Sequence, residues 1–85
     1  MAGTKLFIGN LSFDTNDESL EQAFGEHGKV VSAKVITDRD TGRSRGFGFV
    51  EYETAEETQA ALKAMDGTEV DGRPVRVNEA QDKRG

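Results

Sequence analysis

Between Arg45 and Tyr52 two glycines alternate with two phenylalanines, in the run Arg45-Gly46-Phe47-Gly48-Phe49-Val50-Glu51-Tyr52. A period of two belongs to a strand, whose side chains point to opposite faces of a sheet in turn. One face then carries Arg45, Phe47, Phe49 and Glu51, and the other Gly46, Gly48, Val50 and Tyr52. Burying the phenylalanines would draw Arg45 and Glu51 toward the core, where unpaired charge is costly. Burying the glycine side lets a helix approach the sheet closely and leaves Phe47 and Phe49 pointing outward.

The rest of the chain supplies the partners for that strand. Lys5 to Leu11 reads as a first strand, and Thr15-Asn16-Asp17-Glu18 as a capping box opening a helix with the apolar stripe Leu20, Ala23 and Phe24. Gly28 is its stop signal. Val30 to Thr37 is a second strand, and Asp38 to Ser44 a polar loop with a tight turn. The strand Arg45 to Tyr52 is followed by a second capping box, Thr54-Ala55-Glu56-Glu57, and a helix carrying Ala61, Leu62 and Met65, with Asp66-Gly67 as its exit. Asp71-Gly72 turns the chain into a last strand, Pro74 to Asn78. The order βαββαβ predicts an α+β, ferredoxin-like sandwich. Its four-stranded antiparallel sheet has order 4-1-3-2, and both helices pack on one face.

Parity applied to each strand sorts inward from outward residues. Leu6, Ile8, Ala33, Val35, Val75 and Val77 go in with the glycine side. Lys5, Phe7, Lys34, Ile36, Arg45, Phe47, Phe49, Arg76 and Asn78 go out, which places three aromatic rings among four bases. Three phenylalanines in water forgo ~1.5–3 kcal/mol each, so something is expected to cover that face. Single-stranded nucleic acid suits it, because bases stack on rings while phosphates accept from Lys or Arg.

Charge speaks against this at first, since 11 Lys and Arg against 16 Asp and Glu leave a net −5. The acids, however, gather on the helices, with Asp14, Asp17, Glu18, Glu21 and Glu26 in a stretch without a base, and net charge averages over both faces. These helical acids suit a basic protein partner or plain solvent. The chain has no Cys and one His, His27, expected as a solvated residue at a helix end. Thiolate zinc, disulfide and histidine-cluster chemistry are therefore excluded. Asn10 is expected to bond its local backbone. No apolar run approaches a membrane span and no leader is visible at the start, so the location expected is intracellular, cytoplasmic or nuclear, not secreted.

The octapeptide Arg45 to Tyr52 and the hexapeptide Leu6-Phe7-Ile8-Gly9-Asn10-Leu11 resemble the two signature segments of the RNA-recognition motif. The loop Asp38 to Ser44 and the ending Val77-Asn78-Glu79-Ala80-Gln81 are similar to those of glycine-rich RNA-binding proteins and nucleolin-like repeats. The resemblance implies that Phe7, Phe47 and Phe49 stack bases or sugars and that Arg45 contacts phosphate. It covers residues 5–80 as one domain between short tails, 1–4 and 81–85. The function expected is binding of about two to four nucleotides of single-stranded RNA by a monomer, without catalysis, cofactor, metal or membrane. Lys5, Lys34, Ile36, Arg43, Arg76, Asn78, Ala80 and Gln81 complete the expected site. Base preference stays open, as does RNA against single-stranded DNA, which turns on contacts to the 2′-hydroxyl.

Overall fold

The computed structural model describes residues 3–80. The elements run β1 (Lys5–Gly9), α1 (Asp17–Gly25), β2 (Val30–Thr37), β3 (Ser44–Tyr52), α2 (Ala55–Met65), β4 (Glu69–Val70), β5 (Arg73–Pro74) and β6 (Arg76–Glu79). Four of the strands form one sheet in the order β2-β3-β1-β6, and every neighbouring pair is antiparallel. With β6 as the fourth strand this is the expected 4-1-3-2 order. Leu20 and Phe24 of α1 and Ala61 and Met65 of α2 are buried in one cluster with Leu6, Ile8, Val35, Val50, Tyr52 and Val77, the inward residues of all four strands.

The sheet departs from expectation at two strand ends. The predicted strand Pro74 to Asn78 is divided at Val75, between Arg73–Pro74 and Arg76–Glu79, and ahead of it Asp71 and Gly72, the predicted turn, both adopt left-handed conformations (φ 52° and 83°). That pair makes a tight hairpin turn, which folds Arg73–Pro74 back onto Glu69–Val70 as a separate two-stranded ribbon. Pro74 has no N–H to give a central ladder and is accommodated there. β1 stops at Gly9 rather than Leu11, since Asn10 is also left-handed (φ 60°). The turn sends Leu11, which parity alone would place outward, into the core.

Both helix starts carry a cap, although the first is shifted by one residue. Asn16, not Thr15, caps α1: its Oδ1 accepts from Ser19 N at 2.8 Å, and Ser19 Oγ accepts from Asn16 N. Thr15 is buried and donates its hydroxyl to Asp71 Oδ2 at 2.7 Å, fixing the β1–α1 connection to the hairpin. Thr54 caps α2 as expected, accepting from Glu57 N. The Glu57 carboxylate accepts from the backbone N–H of Lys29, across to the other helix's exit. α1 ends at Gly25, before the predicted stop. Gly28 serves packing instead, since a Cβ there would lie 2.8 Å from Glu57 Cβ.

Two further acids tie the helices to the sheet's outer strands. Asp17 Oδ1 accepts from Val35 N on β2 at 2.7 Å, and Asp66 Oδ1 accepts from Val77 N on β6 at 3.1 Å. Each satisfies an N–H on an edge strand that would otherwise be open to another chain.

Tyr52 is buried, and its hydroxyl donates to Phe24 O at 2.7 Å near the end of α1. Burial, with a smaller contribution from the Glu57 charge, pushes its phenol well above the usual value of 10.0. The fold therefore favours the neutral phenol, and the stability it contributes is complete below about pH 10 and lost as pH rises above it. The melting temperature is expected to fall more steeply between about pH 9.5 and 11 in the native protein than in Tyr52→Phe. Parallel curves would show that Tyr52 carries no such linkage.

Candidate nucleic-acid interface

The face of the sheet opposite the helices has no described element packed on it, and strand register sets the outward residues in rows. Phe7 of β1 stands opposite Phe49 of β3 on one side and Asn78 of β6 on the other, and Phe49 in turn stands opposite Lys34 of β2. One row thus crosses all four strands as Asn78, Phe7, Phe49, Lys34. In the next row Gly9 lies between Phe47 and Arg76. With neighbouring strands ~4.8 Å apart, the three rings form a continuous patch.

These rings are half-buried rather than fully in water, because they cover one another. The Phe7 ring centroid is 5.6 Å from that of Phe47 and 5.7 Å from that of Phe49, the second pair packing edge to face. Lys5 Nζ stands 5.2 Å from the Phe49 centroid, within the range of a cation–π contact. Gly9 is buried under the patch: a Cβ on it would lie 3.4 Å from Phe7 Cε2. The cost of exposing three aromatics is consequently smaller than the sequence implied.

Gly48 explains why the rings face outward. A Cβ at Gly48 would stand 2.5 Å from Lys34 O and 3.1 Å from Val35 Cα, backbone atoms of β2, and 3.3 Å from Leu20 Cδ2, so the position is closed chiefly by the neighbouring strand and also brings α1 close. Gly46 differs. Its φ of 84° lies in a stretch where the β2–β3 register shifts between Val35 and Thr37, and the residue supplies a left-handed turn rather than room for a helix.

Around the rings, Lys5, Lys34, Arg45 and Arg76 are exposed, and so are Asn78 and, in the β2–β3 loop, Arg43. Among the described residues the ion pair is Lys29 with Glu53 at 3.7 Å, away from this set, so the bases of the face are unpaired. Arg39 and Arg43 likewise have no acidic partner there; Asp38 instead accepts from Asp40 N, and its own N–H donates to Arg43 O. Ile36 is half-buried beside the register shift. The Ala80 N–H donates to Lys5 O at 3.0 Å and is thus spent on extending the ladder. Gln81 lies outside the described residues.

Glu51, which alternation placed on this face but which the expected site left out, stands opposite Lys5 and accepts from the Thr4 hydroxyl at 3.3 Å. Asn10 makes distant bonds where local ones were expected, donating to Pro74 O at 2.6 Å and accepting from Arg73. His27 is half-buried, and its N–H donates to Phe24 O. Among the described residues, no helix is long and apolar enough to cross a membrane, and no group of three His, Cys, Asp or Glu could hold a metal ion.

The sequence matches the RNA recognition motif family over residues 6–76, and the chain belongs to that family. It is 55% identical to glycine-rich RNA-binding protein 2, mitochondrial, of Arabidopsis thaliana, over 98% of this chain and 52% of that protein. It is 53% identical to RNA-binding protein CP29B, chloroplastic, of the same plant, over 91% of this chain and 27% of that protein. The chain therefore spans about half the length of these relatives, or less. Among solved structures, the Sxl-lethal protein/RNA complex superposes with a TM-score of 0.85 at 35% identity, over 91% of this chain and 47% of that one. The relatives' names overturn the expected cytoplasmic or nuclear location, since they are mitochondrial and chloroplastic proteins. That expectation rested on how the sequence begins, which carries no such information when the relatives extend well beyond the match.

Proposed function

We propose that residues 5–80 act as a monomeric, non-catalytic unit that holds about two to four nucleotides of single-stranded RNA across the open sheet face. The row Asn78, Phe7, Phe49, Lys34, with Phe47 beside it, carries this reading. Phe7, Phe47 and Phe49 offer stacking surfaces, while Lys34, Arg43, Arg45 and Arg76 surround them with free cations for phosphate. Lys5 both covers Phe49 and adds charge. Ile36 extends the apolar surface on the β2 side, and Asn78 presents an amide to a base edge next to Phe7. Ala80, whose N–H is already given to Lys5 O, and Gln81 complete the proposed contacts. The RNA-binding names of the relatives and the RNA complex formed by a structural neighbour support the same ligand class.

An enzyme of this topology acting on phosphates would need free amides after β1. Here the Leu11 N–H donates to Gly46 O at 2.8 Å, and the N–H groups of Asp14 and Thr15 donate to Ser12, so these amides are committed to the fold.

The salt dependence of binding tests where the ligand sits. Affinity for a single strand falls by ~0.7 log units per log unit of salt for each phosphate neutralised. The few bases on the sheet and a short ligand predict a shallow slope, about −1 to −2.5, with little binding to duplex. Arg45→Ala should reduce its magnitude by ~0.7, whereas Lys63→Ala, exposed on α2, should leave it unchanged. A slope steeper than about −4, or equal sensitivity at Lys63, would place the ligand elsewhere. Parallel titration with single-stranded DNA decides whether the 2′-hydroxyl is read; equal affinities would widen the ligand class to single strands in general.

A further inference from the structure

A hollow of about 420 Å³ opens on the helix side of the domain, between α1 and the ribbon of β4 and β5, away from the ring patch. Ala23, Met65 and Val70 form its apolar floor, Glu26, Glu69 and Asp71 stand around it, and no Lys or Arg lines it. Among the described residues the ion pair is Lys29 with Glu53, so these three carboxylates have no cationic partner, the half-buried His27 on the same wall included. The ribbon contributes more than charge. Gly67, left-handed at φ 83°, and Thr68 share Val75 as their partner: the Gly67 N–H donates to Val75 O at 2.8 Å, and the Val75 N–H donates to Thr68 O at 3.0 Å. Thr68 therefore turns its carbonyl toward β5, and alternation turns the N–H and C=O of Glu69 away from it. The register agrees, since Glu69 stands opposite Pro74, which has no N–H to exchange. One backbone donor and one acceptor thus point off the open edge of β4. The hollow lies along that edge, because β4 lines it and β5 does not.

We propose that this hollow docks an extended basic segment of a partner protein, which adds to β4 as a third strand of the ribbon and lies between β4 and α1. Its backbone exchanges hydrogen bonds with the N–H and C=O of Glu69, the open-edge groups that template another strand. Its Lys or Arg side chains meet Glu26, Glu69 and Asp71. Glu26 and Glu69 are exposed, and Asp71, whose Oδ2 accepts from the Thr15 hydroxyl, keeps its other oxygen for the partner. A single edge residue supplies few backbone bonds, so charge complementarity supplies the rest of the recognition, and the same carboxylates repel a nucleic acid. The surface is built from the helix side, so it is independent of what the sheet binds.

The probe is an acetylated, amidated peptide of four Arg-Val repeats, titrated into the isotope-labelled domain and followed by NMR. Its counterpart with every peptide nitrogen methylated keeps the charges and cannot donate to an edge. The first peptide should shift the amides of Glu69 and Val70 together with those of α1 from Gln22 to Glu26, and should slow exchange of the Glu69 amide proton about tenfold at saturation. The methylated peptide should bind at least about fivefold more weakly and leave that exchange unchanged. Replacing both exposed acids, Glu26→Gln with Glu69→Gln, should weaken the first peptide about fivefold, the scale of two exposed ion pairs, with melting showing the fold intact. Equal affinity for the two peptides, or shifts spread over the acids of both helices with no protection at Glu69, would reduce the hollow to a charged surface and overturn the proposal. So would a response confined to the ring patch. An eight-nucleotide RNA pool that perturbs the same amides would assign the hollow to nucleic acid instead.

Discussion

Phe49→Ala is expected to weaken RNA binding by ~1–3 kcal/mol, roughly five- to more than a hundredfold, while the domain stays folded. Phe49 is the hub of the open face, opposite both Phe7 and Lys34, edge to face with the Phe7 ring and beneath the Lys5 ammonium. Its removal takes away one stacking surface and leaves Phe7 without lateral support, so a second stack is weakened as well. The thermodynamic cost to the fold should be small, ~0.5–1.5 kcal/mol, the scale of one aromatic pair, because nothing on the helix side touches this ring. Isothermal titration beside thermal melting separates the two effects. Loss of several kcal/mol of stability would mean the ring belongs to the core. Unchanged affinity with an unchanged fold would remove the stacking role.

The parity argument that located these rings succeeded because strand alternation is rigid. Once Gly48 is inside, Phe47 and Phe49 must be outside, and the same logic ordered Phe7, Lys34 and Asn78. It failed wherever one residue left the extended region. Asn10 at φ 60° reversed Leu11, and Asp71 and Gly72 folded Arg73 and Pro74 back onto Glu69 and Val70, out of the last strand of the main sheet. A single left-handed residue breaks periodicity without changing composition, and only the Asp-Gly pair announces itself in sequence. The α1 cap moved from Thr15 to Asn16 because both residue types can cap; what decided between them was a distant hydrogen bond from Thr15 to Asp71. Half-burial of the rings was equally hidden. It depends on centroid distances between strands, not on which face a residue takes. Phe13 has no parity at all, being in a connection, and its exposure becomes visible only when the chain is folded around Gly46.

Gly48→Ala should be among the most damaging single-methyl additions to this domain, costing ~3 kcal/mol or more. The added carbon would lie 2.5 Å from Lys34 O and 3.1 Å from Val35 Cα, both backbone atoms of the neighbouring strand, and 3.3 Å from Leu20 Cδ2 of α1. A side chain could rotate away, but β2 is held in place by its ladder to β3 and by the Asp17 carboxylate on Val35 N. Relief therefore requires moving strand or helix, at the upper end of overpacking costs and a large share of what a domain this small has to lose. Gly25→Ala supplies the contrast: nothing lies within 4 Å of its added methyl, and at the end of a helix the change should gain up to ~1 kcal/mol of stability. Gly48 points away from the rings, yet its neighbours in sequence are Phe47 and Phe49. Any shift of β3 that admits the methyl moves both, so RNA affinity should fall together with the denaturation midpoint in Gly48→Ala and stay constant in Gly25→Ala. Urea unfolding and RNA titration of the two variants measure this directly. A Gly48→Ala protein as stable as the native one would mean that neither β2 nor α1 is packed against this glycine, and the outward facing of Phe47 and Phe49 would then need a different physical cause.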